Sequence, residues 1–128
     1  MKKIPVQKTL SVSVDKKSHL IVVRIGFQNV SDSDVWVLRP PPNLFLSSEG
    51  EDVDYVGRTD KRSAYTLADY EKVPPGGKVE RVVEISKLYD FKPGNHHYVV
   101  SLPGGYKDPE TGERWEAPTV KAGFDFAR

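Results

Sequence analysis

Apolar residues recur at every second position along most of this chain, the periodicity of strands that bury one face. Leu10, Val12 and Val14 share one parity while Ser11, Ser13 and Asp15 take the other, which predicts a half-buried strand ahead of an Asp15-Lys16-Lys17 turn. From His19 to Val30, Ile21, Val23, Ile25 and Phe27 alternate with Val22, Arg24, Gly26 and Gln28, a length that suits a central strand. Ser31 to Asp34 is built of turn formers, and Val35 to Leu38 reads as a short strand apolar on both faces. Pro40-Pro41-Pro42 ends it, because prolines donate no backbone N–H and favour an extended connection. Leu44 to Leu46 is the next short strand.

An acidic run, Glu49, Glu51, Asp52 and Asp54, then leads into Tyr55-Val56, an edge strand or hairpin arm. Thr66 to Glu71 suits one helical turn, with Thr66 as its cap and Asp69 at the third position, where a carboxylate favours the positive helix end. Pro74 to Gly77 makes a tight turn, and Val79, Val83 and Ile85 continue as a strand in which Arg81 breaks the apolar parity. Ser86 to Tyr89 forms a short turn, and Pro93-Gly94 turns the chain into a strand carrying Tyr98, Val100 and Leu102. The stretch from Pro103 to Pro118 reads as a long connection, before a last strand with Val120, Ala122, Phe124 and Phe126 on one parity. About seven or eight short strands without a long helix predict an all-β fold, an antiparallel immunoglobulin-like β-sandwich. No repeat or linker divides residues 1–128, so a single domain is expected.

Composition narrows the function classes more than it names one. At 128 residues the chain is long enough to bury a core, and with no cysteine it has no disulfide framework, thiol chemistry or thiolate metal site. Lys+Arg 19 against Asp+Glu 18 leaves a net charge of +1, too balanced for a nucleic-acid binder. No apolar span approaches the length of a membrane helix, and the N-terminal segment lacks the continuous apolar run of an export signal. The sequence as it stands fits the cytoplasm, or a secreted protein whose signal has been removed.

Catalytic signatures are missing. The chain has no HExxH, GxSxG or phosphate-binding loop. His96 and His97 are adjacent beside a strand, so they point to opposite faces and do not share a metal. Glu80 and Glu84 have the spacing of a solvated strand face, and the acids from Glu49 to Asp54 do not match a calcium loop. No enzyme activity, metal or cofactor is expected.

Two constellations remain. Tyr55, Arg58, Lys61, Arg62, Tyr65 and Tyr70 combine the aromatic and cationic side chains enriched at protein interfaces, and form the expected partner-binding set. Trp36, Pro40 to Pro42 and Phe45 form an apolar group in which core packing is expected for Trp36 and Phe45, with the prolines blocking edge pairing. Trp36, Trp115 or Tyr106 offers a stacking platform for the alternative, a carbohydrate or small-ligand module. Asn29-Val30-Ser31 has the form of a glycosylation sequon.

From Tyr55 to Leu102 the order of elements is distinctive. Tyr55 and Gly57 are followed by Lys61-Arg62, Asp69-Tyr70, Pro75-Gly76, Ser86, Tyr89-Asp90 and Tyr98. This order resembles the β-sandwich domain that precedes the catalytic domain in deuterolysin-like zinc metalloendopeptidases. Since the family's HExxH site and its further Asp ligand have no counterpart here, the resemblance does not imply proteolysis. It implies a relative of a pro-domain that covers, folds or restrains a separate protease. The expected function is therefore non-catalytic protein binding, with protease inhibition or chaperoning as its concrete form. Neither nucleic acid nor a membrane is an expected partner.

Overall fold

A computed structural model describes residues 4–57 and 65–128. The strands are β1 (Val6–Asp15), β2 (Leu20–Asn29), β3 (Val35–Leu38), β4 (Phe45–Ser48), β5 (Glu51–Asp52), β6 (Tyr70–Val73), β7 (Lys78–Glu84), β8 (Asn95–Leu102), β9 (Tyr106–Lys107), β10 (Arg114–Trp115) and β11 (Val120–Ala127). Every described pairing between them is antiparallel, and no α-helix occurs among the described residues. The all-β expectation holds. The strands form a sheet in the order β1-β2-β7, a second in the order β11-β8-β4-β5, and two separate pairs, β3-β6 and β9-β10.

The long strands follow the alternation of the sequence. Ile21, Val23, Ile25 and Phe27 on β2 are buried, as are Tyr98, Val100 and Leu102 on β8 and Phe124 and Phe126 on β11. These residues join Val35, Val37, Leu46, Val73 and Ile85 in one core cluster, so both sheets contribute to the same apolar interior. Within it the rings of Tyr89, Phe91, Tyr98 and Phe124 make a run of contacts with centroid separations of 6.4, 5.1 and 5.6 Å. Such edge and stacked pairs add about 1 kcal/mol each beyond the area they bury.

Several local expectations change. Only Leu67–Asp69 forms a helical turn, of the 3-10 type, because from Tyr70 onward the backbone pairs with β3. Asp69 does bond back as expected, its Oδ2 accepting the Thr66 N–H at 2.8 Å. Tyr55 makes a single bridge to Tyr89 and starts no longer arm. Part of the acidic run becomes β5, which extends the second sheet beside β4. Phe45 is 62% exposed, contrary to its expected place in the core, because Leu46 and Ser48 occupy the inward parity of β4. The long connection after Leu102 contains β9 and β10, strands too short to read from alternation.

Three polar side chains stand on the core-facing parity of the first sheet. Each donates a hydrogen bond to a carbonyl from another segment. Lys8 on β1 donates from Nζ to the carbonyls of Pro103 at 2.9 Å and Gly105 at 2.6 Å. Arg81 on β7, the residue that breaks the apolar parity, donates from Nε to the Leu38 carbonyl at 3.1 Å and pairs with Glu71 at 3.0 Å. Asn29, only 1% exposed, donates from Nδ2 to the carbonyls of Ser33 at 2.7 Å and Val73 at 2.9 Å. Its Oδ1 accepts from the Ser31 N–H at 2.9 Å and the Ser31 hydroxyl at 2.7 Å. The Asn29 backbone meanwhile donates to the Gly77 carbonyl and accepts from the Gly76 N–H, both at 2.9 Å.

Asn29 thus joins the end of β2 to the start of β3, the end of β6 and the turn before β7. Removing its amide leaves buried carbonyls unpaired, so Asn29→Ala is expected to destabilise the fold by about 3 kcal/mol. Urea unfolding followed by circular dichroism should show a lower midpoint at unchanged slope; a midpoint equal to that of the parent would contradict the role assigned to Asn29.

Candidate functional site

One concave site lies at β3 and takes side chains from both faces of that strand, the inward-facing Val37 among them. Val35 and Val37 point inward, which leaves Trp36 and Leu38 on the other side and accounts for a strand apolar on both faces. Pro40 and Pro42 carry that surface past the end of β3, and Tyr70 joins it from β6, where it pairs with Leu38. Tyr106 arrives from the opposite direction. Together with Lys8 and Phe27 of the first sheet, these residues line a groove of about 150 Å³.

Close backbone packing brings the Tyr106 wall into place. A side chain on Gly104 would collide with the Pro118 carbonyl, and a Cβ on Gly105 would lie 2.9 Å from the Trp115 carbonyl oxygen. Only glycine lets the two arms of the loop approach this closely. The Tyr106 hydroxyl then clamps β3, accepting the Trp36 backbone N–H at 3.1 Å and donating to the Trp36 carbonyl at 3.0 Å. The indole of Trp36 donates from Nε1 to the Glu110 carboxylate, and Lys72 Nζ stands 5.1 Å from the indole centroid. Both contacts fix the ring without burying it.

Two titratable groups of the groove are shifted by their surroundings. Burial lowers the Lys8 pKa below the ordinary lysine value, and its ammonium also lies 5.9 Å from the Phe27 ring centroid. Burial raises the Tyr106 pKa, with the carboxylates of Asp108 and Glu110 acting in the same direction and the Trp36 backbone bond opposing them. The lining offers rings, prolines and an ammonium whose bonds go to backbone carbonyls. It contains no nucleophile paired with a base. Typical drug-sized ligands fill about 300–1,000 Å³, whereas an apolar cavity of about 150 Å³ suits one group the size of benzene.

The residues expected to bind a partner do not all meet here. Tyr70 lines the groove, but Tyr55 packs edge-on against Tyr89 with centroids 5.4 Å apart, in a setting that shares none of the groove's residues. Tyr65 is 47% exposed ahead of the 3-10 turn. Arg58, Lys61 and Arg62 lie outside the described residues. Trp36 and Tyr106, each named in the sequence as a candidate stacking platform, come together, and Trp36 is half-buried at the groove instead of in the core. Tyr106 and Trp115 pack on each other with ring centroids 5.6 Å apart and planes at 37°. Lys8 stands outside the apolar series, which begins at Leu10; its parity, continuous with Leu10, Val12 and Val14, is the signal the sequence carries for it.

His96 and His97 take different surroundings, as their spacing requires. His97 Nδ1 lies 2.8 Å from Asp125, whereas His96 Nε2 lies 2.9 Å from the Pro93 carbonyl and its Nδ1 3.6 Å from Glu49. No group of three or more potential metal-ligating side chains assembles among the described residues. No helix among the described residues is long and apolar enough to cross a membrane. No protein-family model matches the chain, and no curated protein shows significant similarity to it.

The Tyr106 clamp has a measurable pH signature. Its folded pKa is raised above the unfolded value of 10.0, so its contribution to stability is complete below that pH and is lost as pH rises through the folded pKa. Tyr89, raised by burial and then by Tyr55, acts in the same sense, whereas the lowered pKa of Lys8 acts in the opposite one. Tyr106→Phe should cost about 1–2 kcal/mol at neutral pH by losing both bonds to Trp36. Urea midpoints of parent and variant should converge above about pH 10, and a gap that stays constant there would exclude the clamp as the source.

Proposed function

We propose that this protein is a non-catalytic immunoglobulin-like β-sandwich that binds another protein by receiving one ring-sized side chain in the Trp36 groove. The observation that carries this reading is the convergence of Trp36, Pro40, Pro42, Tyr70 and Tyr106 from separate segments on a preformed cavity of about 150 Å³. A small aromatic-lined pocket fixed before binding suits a partner's anchor residue, because little side-chain entropy remains to be lost. The same volume argues against an extended sugar chain or a cofactor as occupant.

The sandwich reading is supported by strand order and by one hydrogen bond. Taking β1, β2 and β7 as the first, second and fifth strands of an immunoglobulin-like domain puts β4, β8 and β11 in its other sheet, as in that architecture. The β3-β6 pair is then an insertion. Tyr98, near the start of β8, accepts the Lys92 backbone N–H at 3.1 Å, an arrangement similar to the tyrosine corner of such domains.

Among partners, a protease is favoured by the resemblance of Tyr55 to Leu102 to the domain preceding the catalytic unit of deuterolysin-like endopeptidases. The protein would restrain or assist the folding of such an enzyme. Augmentation along β7 is less favoured, because Lys78, Glu80 and Glu84 charge that edge strand.

Inhibition and refolding assays with a deuterolysin-type protease test the partner class directly. Trp36→Ala and Tyr70→Ala should each weaken the complex by about tenfold or more, the effect of losing an interface anchor, while the fold survives by circular dichroism. Glycan-array binding without any effect on the protease would reverse the reading in favour of a carbohydrate module.

A further inference from the structure

A second basin, of about 620 Å³, lies elsewhere on the molecule and shares no lining residue with the Trp36 groove. Its floor is aromatic, formed by the buried Tyr89, Phe91 and Phe126, and its apolar rim comes from Leu20 and Val56, 39% and 61% exposed. The volume falls within the range of small-molecule sites. Exposed apolar side chains around an apolar hollow give a ligand area to cover, whereas an isolated exposed leucine would need no explanation.

Charge makes the basin selective. Lys87, His19 and Arg128 stand on its lining, with Asp90 as the one carboxylate among the lining residues. Arg128 already serves Asp90, at 3.5 Å, and the Phe91 carbonyl. Lys87 makes no ion pair among the described residues, and His19 meets only the edge of Phe126, with ring centroids 6.3 Å apart. His19 also holds φ at 57°, in the left-handed region that non-glycine residues seldom occupy. This conformation at the β1-β2 turn accompanies a ring laid against the basin's aromatic floor.

We propose that this basin binds a small anionic amphiphile, a carboxylate carried on an aliphatic body. The body would cover Leu20, Val56 and the aromatic floor, and the carboxylate would meet Lys87. An uncharged alcohol of the same length gains the apolar contact alone. A charge-assisted contact therefore separates the two ligands.

Titration of the isotope-labelled chain with sodium octanoate below its micelle concentration, followed by NMR, tests this. Saturable shifts are expected at Ser18 to Leu20, Val56, Lys87 to Phe91 and Phe126 to Arg128, with octanol binding about tenfold more weakly. Lys87→Glu, at an exposed position, should bring octanoate down to the affinity of octanol or below it, since the new carboxylate repels the ligand's. Leu20→Asp should weaken both. No saturable shift, equal affinity for the two probes in the parent, shifts centred on Trp36, or a Lys87→Glu chain that binds octanoate as the parent does would each overturn the assignment. Since the two sites share no lining residue, loss of octanoate binding leaves protease binding through the Trp36 groove as a separate result.

Discussion

The first sheet turns an amide and two cations toward the interior, and the remainder of the architecture is arranged around satisfying them. An unpaired charge or amide in that position costs several kcal/mol, comparable with a large part of a domain's whole stability. Lys8, Arg81 and Asn29 are tolerated only because the loop after β8, the β3-β6 pair and the Ser31–Ser33 turn bring carbonyl oxygens to them. Each polar residue thus selects a tertiary neighbour. Apolar residues at these positions would bury as readily but would leave the placement of those neighbours less determined.

The groove follows from that arrangement. Two of its walls, the β3-β6 pair with Trp36 and Tyr70 and the segment around Tyr106, are the elements that supply carbonyls to Arg81 and Lys8. Tyr106 then ties the walls to each other through the Trp36 backbone. The groove and the structural support therefore share elements, which ties the shape of the groove to the fold. The second basin has a different basis. Its floor is the edge of the core's aromatic cluster, where Phe126 packs on Phe91 and meets the His19 ring of the β1-β2 turn.

Much of the fold was legible because alternation reports which face of a strand is buried. β2, β3, β7 and β11 lie close to where their apolar parity puts them, and the turns at Ser31 and Pro74 fall where their residue types require. What alternation cannot report is pairing over long separations, and the sites depend on that. Nothing near Trp36 in sequence indicates Tyr106, seventy residues away, as its hydrogen-bond partner. Thr66 to Glu71 suits a helical turn because Thr66 and Asp69 form a local cap pattern; the ladder between β6 and β3 limits that turn to three residues. Arg81 looked like an irregularity for the same reason. Its partner carbonyl, on Leu38, is forty-three residues away.

The buried amide of Asn29 also sets an order of events. It belongs to the triplet Asn29-Val30-Ser31, yet both hydrogens of its Nδ2 are donated to main-chain carbonyls and the Ser31 hydroxyl is bonded to Oδ1. A glycosylating enzyme needs that nitrogen and that hydroxyl free. In a secretory compartment, sugar transfer and folding would be competing first events on the same side chain, and a chain modified first could not close the junction between β2, β3 and β6. Glycan occupancy at Asn29 would then count the molecules that had missed the native state.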